Sequence, residues 1–415
     1  MKFNALGLHD QLLEAISYMG FETATPIQEQ AIPEIMKGHD ILATAQTGTG
    51  KTASFVLPIL DEITEKNLEG ICTLIIVPTR ELALQIDQQI QAFSYFTPAT
   101  SMAIYGGGDG DDWNQQKKAL TQGTEIIIAT PGKLLSHLNM GLSKFKNLKH
   151  LILDEADRML DMGFYEDITK IISYLPEKRQ NLMFSATMPH KIRDFANGIL
   201  KNPFVVNIKM SKPAEGVLQA AYLCFDAQKY PLLRSLINDK PDYKSILIFS
   251  STRRKVNDIK RALKGSNYKV EGISSDLEQA EREAVLLRFK SRETRVLVAT
   301  DVLSRGIDIK GIDLIFNFDV PGNAEDYVHR IGRTARADTT GVAITFVNPD
   351  DMYKFKQIER LIEREIPKVP LPPELGEGPE WKTSNRGDRQ GNFRNKGNSR
   401  NKGKYRGKNP RRDKR

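Results

Sequence analysis

Cysteine is almost absent from this 415-residue chain: Cys72 and Cys224 stand far apart, each inside an apolar run. That excludes a disulfide framework, and both thiols are expected to be reduced core residues. Long apolar runs are missing as well. Ile71 to Val77 and Ile126 to Ala129 have the length of buried strands and fall well short of the roughly 20 residues that span a bilayer. The start, Met1-Lys2-Phe3-Asn4, carries no apolar signal-peptide core, so a cytoplasmic location is expected.

What is abundant is positive charge, but only at one end. The formal net charge is +8, yet Lys382 to Arg415 holds 14 Lys or Arg against 2 acidic residues, so everything before it is net acidic. The basic composition therefore describes a tail. That tail has Phe393 and Tyr405 as its only aromatics and cannot bury enough apolar surface to offset its ordering entropy. With the Pro- and Glu-rich residues before it, 368–415 is expected to be disordered, and its charge suits an extra electrostatic tether for a polyanion.

Two stretches of the chain share a rhythm of short apolar runs and longer helical patterns. The first, 1–208, includes Ile41 to Thr44, Ile71 to Val77, Ile126 to Ala129, Leu151 to Leu153 and Leu182 to Phe184. After a polar linker at 209–216 the rhythm restarts over 217–367, with Ile246 to Phe249, Val270 to Ile273, Val296 to Ala299 and Val342 to Val347. Such alternation predicts an α/β fold: two tandem domains, each a parallel sheet covered by helices on both faces.

Chemistry concentrates first at Ala45-Gln46-Thr47-Gly48-Thr49-Gly50-Lys51-Thr52. Gly48 and Gly50 permit a tight turn after a strand, which aims backbone N–H groups and a helix N-terminus at an anion. Lys51 can then reach β/γ-phosphate oxygens, and Thr52 can place its hydroxyl on Mg²⁺. Ala45 replaces the first glycine usual in this loop. Farther on, Asp154-Glu155-Ala156-Asp157 ends an apolar strand. Carboxylates are costly to bury, so a cluster there implies a strand tip opening on a cation or water. Asp154 is the candidate metal ligand, Glu155 the residue that orients or deprotonates water, and Asp157 a link to another segment. Upstream, Gln28 can pair with adenine N6 and N7, while Phe21 offers a stacking face.

Taken together, these residues resemble the DEAD-box ATP-dependent RNA helicases over about residues 3–347. Asp154 to Asp157 reproduces the name motif, and Gly20 to Gln28, with Phe3 upstream, looks like the family's adenine-reading element. Pro78-Thr79-Arg80-Glu81-Leu82-Ala83, Gly106-Gly107, Thr130-Pro131-Gly132, Ser185-Ala186-Thr187, Arg305-Gly306-Ile307-Asp308 and His329 to Arg336 follow in the family's order. Departures are Ala24 for proline, Ser274-Ser275 for His-Gly, and Ala335 for the glycine before Arg336. The compact core with a short basic tail looks most like the bacterial RhlE-type members.

The resemblance implies two RecA-like domains, with ATP and Mg²⁺ as cofactors. It implies that Arg333 and Arg336 complete catalysis across an interdomain cleft, which suits guanidinium groups that fork onto phosphate oxygens, and that Asp308 also meets the nucleotide. Ser185, Thr187 and His329 would join Asp157 in coupling nucleotide to RNA. Arg80, Gly106, Gly107, Thr130, Gly132, Phe249, Thr252, Gln279, Arg282 and Thr300 would track the RNA backbone. Such contacts carry no base information, so binding would be sequence-independent. The expected activity is RNA-stimulated ATP hydrolysis that opens short duplexes or remodels ribonucleoproteins, by a monomer, with ribosome assembly or RNA turnover as settings. Two other readings remain: an ATP-gated RNA clamp without productive unwinding, and a DNA translocase.

Overall fold

The structure is a computed structural model of the chain, and it describes residues 1–45, 48–107, 110–142, 145–208, 216–238, 240, 242–265, 268–274, 276–300, 311–334 and 341–382, with the side chains of Asp111 and Gln279 left aside. It contains two seven-stranded sheets. The first holds β1 (Ile41–Thr44), β2 (Thr73–Ile76), β3 (Ser101–Ile104), β4 (Ile126–Ala129), β5 (His150–Leu153), β6 (Gln180–Ser185) and β7 (Phe204–Asn207), in the order β3-β4-β2-β5-β6-β1-β7. The second holds β8 (Val217–Leu223), β9 (Ile246–Ser250), β10 (Val270–Ile273), β11 (Val296–Thr300), β12 (Leu314–Asn317), β13 (Gly341–Val347) and β14 (Lys368–Val369), in the order β10-β11-β9-β12-β13-β8-β14.

The two orders are the same once the second set is counted from β8, and the ladders in both sheets are parallel. One topology has been laid down twice. Alternation along each strand explains why both faces are covered: Ile75 joins the core under one face of the first sheet, while Leu74 and Ile76 join the core under the other. With helices on both sides of two parallel sheets, the fold is α/β with two RecA-like units. Among the described residues no helix is long and apolar enough to cross a membrane. Both cysteines are free and buried, and burial pushes their thiols up, to about 11 for Cys72 and about 12 for Cys224.

One expectation fails. Residues 368–382 do not belong to a disordered tail: Lys368-Val369 forms β14 against β8, and Gln228 donates to the carbonyls of Leu375 and Glu377 at 2.8 and 3.1 Å. The Trp381 ring meets Phe355 edge to face at 6.0 Å, with the Lys368 ammonium 4.8 Å above it. A few well-placed anchors hold a segment whose Pro and Glu content reads as unfolded. Residues 383–415 lie outside the described residues.

Candidate functional site

Strand order decides which loops meet. In the first sheet β1, β6 and β5 are neighbours, so the loop after Thr44, the Ser185-Ala186-Thr187 segment and the Asp154 cluster open on one side of the same edge. The strands β2, β4 and β3 occupy the other half, and their ends carry Arg80, Thr130 to Gly132, and Gly106-Gly107.

At β1 the backbone turns through Gly48 (φ 85°) and Gly50 (φ 88°) into helix Lys51–Lys66. A side chain on Gly50 would collide with the Gln28 amide, so glycine there is both a conformational and a packing requirement. Lys51 is buried, its Nζ has no hydrogen-bond partner among the described residues, and it stands 4.0 Å from Asp154 Oδ1. An unsatisfied ammonium beside a helix N-terminus fits a nucleotide phosphate. Thr52 follows, half-buried. A hydroxyl and a carboxylate suit Mg²⁺, a hard ion that keeps several waters when bound by one or two protein groups plus phosphates. Gln46 and Thr47 lie outside the described residues.

Burial raises Asp154 to about 6; the Lys51 charge opposes this and Glu155 adds to it. Glu155 goes the other way. Burial pushes it up, but Arg158, at 3.0 Å, together with Lys51 holds it below the ordinary carboxylate value. Glu155 also adopts a left-handed φ of 52°, a conformation that costs a non-glycine residue energy and clusters at working sites. Asp157 Oδ2 accepts from both the amide and the hydroxyl of Thr187, at 2.9 and 3.0 Å, and Ser185 Oγ donates to the Thr187 carbonyl at 2.7 Å. These bonds tie the end of β5 to the end of β6.

Upstream, Gln28 is already engaged. Its Oε1 accepts from Thr25 N–H at 2.9 Å, and its amide donates to Gly50 O at 3.1 Å. The residue read as an adenine reader thus braces the phosphate loop as well. Phe21 is exposed, with Phe93 6.2 Å away, while Phe3 is buried and Lys2 bridges Thr23.

A cleft of 680 Å³ lies between the two sheets, lined by Lys51, Glu155, Asp157 and Thr187 from the first and by His329 and Arg333 from the second. His329 belongs to helix Ala324–Ile331, which follows β12, the counterpart of β5. Arg336 and Asp308 fall outside the described residues. On the other half of the second sheet, Thr252 caps helix Arg253–Ala262 by accepting from Lys255 N–H, Thr300 ends β11, and Gln279 opens helix Gln279–Lys290. These are the ends of β9, β11 and β10, the counterparts of β2, β4 and β3. The Phe249 ring, expected on the RNA track, is 1% exposed and packed 4.9 Å beneath Arg330. Arg80 and Arg282 are also not free, for Arg80 pairs with Glu283 at 2.8 Å and Arg282 with Glu81 at 3.4 Å.

Sequence reasoning missed Arg158, Glu283 and Asp319. Arg158 was legible in principle, three residues beyond Glu155 on a helix. Glu283 and Asp319 find their partners, Arg80 at 2.8 Å and Lys229 at 3.4 Å, through tertiary structure alone.

Two RecA-like sheets flanking such a cleft define a class, the two-domain ATPases of helicase type. Residues 25–195 match the DEAD/DEAH box helicase model and residues 228–338 the helicase conserved C-terminal domain. The chain is 42% identical over 371 residues to the DEAD-box ATP-dependent RNA helicase CshA of Bacillus cereus, covering 89% of this chain and 70% of that protein. Against the protein of the same name from Geobacillus kaustophilus it is 41% identical over 379 residues, with 91% and 80% covered. Among solved structures it is similar to S. cerevisiae Dbp5 bound to RNA and ADP BeF3, with TM-score 0.79, 29% identity, and 89% and 95% of the two chains covered. It is similar also to Mss116p bound to ssRNA and AMP-PNP, with TM-score 0.79, 26% identity, and 90% and 81% covered. The chain belongs to the DEAD-box ATP-dependent RNA helicases, and is CshA-like within them; the Bacillus and Geobacillus relatives carry the CshA name, where an RhlE-type likeness was expected.

Proposed function

We propose that this helicase opens short RNA duplexes locally and without sequence preference, by closing its two domains over ATP and RNA together. One observation carries the reading: the cleft in which Lys51 and Glu155 of one sheet face His329 and Arg333 of the other. Lys51 and the phosphate loop bind the nucleotide, and Mg²⁺, held by Thr52 and Asp154, neutralises phosphate charge when bound. Glu155, kept ionised by Arg158 and Lys51, orients the attacking water and accepts its proton. Arg333, with Arg336, stabilises charge on the transferred group. Asp157, Thr187, Ser185 and His329 pass closure to the RNA side, where Arg80, Gly106, Gly107, Thr130, Gly132, Thr252, Gln279, Arg282 and Thr300 line the backbone track.

We assign 1–208 and 217–367 to the two domains, with 368–382 as a strap on the second and the basic residues beyond it as an RNA tether. A cytoplasmic monomer acting in ribosome assembly or RNA turnover fits this reading, and an RhlE-like use of the short tail belongs to it too. Strand displacement from a short RNA duplex tests it: ATP should support displacement, equal DNA should not stimulate turnover, and displacement that needs no nucleotide would refute it.

A further inference from the structure

Two Arg-Glu dipeptides face each other across the interdomain boundary. Arg80-Glu81 starts the helix after β2, and Arg282-Glu283 lies in the helix after β10. They pair reciprocally: Arg80 Nη2 stands 2.8 Å from Glu283 Oε1, and Arg282 Nη1 stands 3.4 Å from Glu81 Oε1. Arg80 is placed by its own domain too, donating to Gly107 O at 3.2 Å and resting 4.3 Å above the Tyr105 ring. Three of the four side chains are at most 21% exposed, while Glu283 is 50% exposed. Exchange with solvent anions therefore begins at Glu283.

We infer that Glu81 and Glu283 form an interdomain clasp with Arg282 and Arg80, and that RNA phosphates exchange with these carboxylates for the same two guanidinium groups. The inference rests on the reading above that Arg80 and Arg282 track the RNA backbone. Both carboxylates are positioning residues. Held together, the four side chains favour the closed arrangement through charge pairing. Offered RNA, each arginine trades a carboxylate for a singly charged phosphodiester on a backbone that both domains share, so closure is kept and RNA is admitted. Glu283 then sets a threshold: RNA must outcompete it for Arg80, and more so at low salt, where the pair is least screened.

The test uses the full chain labelled with one fluorophore in each domain. Domain distance is read by energy transfer with a non-hydrolysable ATP analogue, and affinity for a single-stranded RNA oligonucleotide is read at low and high salt. Glu283→Arg alone should lower the closed fraction, and the exchange Arg80→Glu with Glu283→Arg should restore it while RNA binding stays weak. Glu283→Gln should tighten RNA about fivefold at low salt, equivalent to about 1 kcal/mol, with less gain at high salt. A closed fraction that ignores Glu283→Arg, or is not restored by the exchange, overturns the clasp. Unchanged or weaker RNA binding by Glu283→Gln overturns the competition. Failure of the underlying reading looks different: Arg80→Ala and Arg282→Ala would then leave RNA affinity intact even where the charge exchange restores closure.

Discussion

Lys229 Nζ lies 3.4 Å from Asp319 Oδ1 in the second sheet, at the topological position that Lys51 and Asp154, 4.0 Å apart, take in the first. Each lysine sits on the helix after the first strand of its sheet, and each aspartate follows the fifth. The difference is what satisfies the ammonium. Lys229 also meets Asp226 at 3.0 Å, and Asp319 also accepts from Lys255 at 2.7 Å and from Ser251 N–H at 2.8 Å. The second sheet has closed its site with its own carboxylates. Among the described residues, the first has left Lys51 without a hydrogen bond. Different phenotypes follow. Lys51→Ala should cost at least about 10²-fold in ATP turnover and lower thermal stability less than Lys229→Ala does, because a 4.0 Å ion pair to Asp154 is the contact it loses. Lys229→Ala should destabilise the protein by about 3 kcal/mol, because it leaves Asp319 in a buried site short of a partner. Calorimetry and a phosphate-release assay on both variants check this.

The Asp157–Thr187 bonds connect the hydrolytic strand end to its neighbour without touching the attacking group. Thr187→Ala should keep ATP turnover within about threefold, the loss of roughly half a kcal/mol. It should lower duplex strands displaced per ATP hydrolysed by a larger factor. An unchanged ratio would remove Thr187 from the coupling path.

His137 is fully buried, stacks on Trp113 at 4.4 Å and lies 3.3 Å from Gln116 Oε1. Burial, helped by the Lys133 charge, lowers it to about 4 from 6.5. A depressed histidine must stay neutral to remain folded in place. Its contribution is complete above about pH 6.5 and is lost as pH falls toward 4. Between pH 7.5 and 5.5 the loss amounts to about 1 kcal/mol. His137→Gln should flatten that part of the stability curve, and an identical slope in wild type and variant would contradict the assignment.

Truncation separates the strap from the tail. Ending the chain after Lys382 should preserve thermal stability and unstimulated ATP turnover, and should weaken RNA binding while flattening its salt dependence. Ending it after Pro367 should also remove β14 and the Trp381–Phe355 contact, lowering stability by about 2 kcal/mol or more. Equal stability of the two truncated proteins would show that the strap contributes nothing.

Much of this architecture was legible because its signals are local. Ile126 to Ala129 and Val270 to Ile273 became strands over the same residues, since a short apolar run between turns has few alternatives in a doubly covered sheet. Lys51 and Asp154 were legible because a glycine loop and a carboxylate cluster each announce a strand tip. What stayed hidden depends on partners distant in sequence. Nothing near Glu283 points to Arg80, and nothing near Gln228 shows that it would hold Leu375 and Glu377. Phe249 was expected on the RNA track from the family resemblance alone, yet a buried position under Arg330 gives an aromatic ring more apolar contact than an exposed edge does. Gln28 was read for its hydrogen-bonding capacity, and its use by Gly50 and Thr25 appears only when the loop is folded against it.

The central claim is that hydrolysis requires both halves of the cleft. RNA-stimulated ATP turnover by Arg333→Ala, measured beside its affinity for a fluorescent ATP analogue, tests this most directly. The account predicts nucleotide affinity within about threefold of wild type and stimulated turnover lower by about 10²-fold or more, since a cross-domain guanidinium acts chiefly on the transition state. Stimulated turnover close to that of the unaltered protein would contradict it.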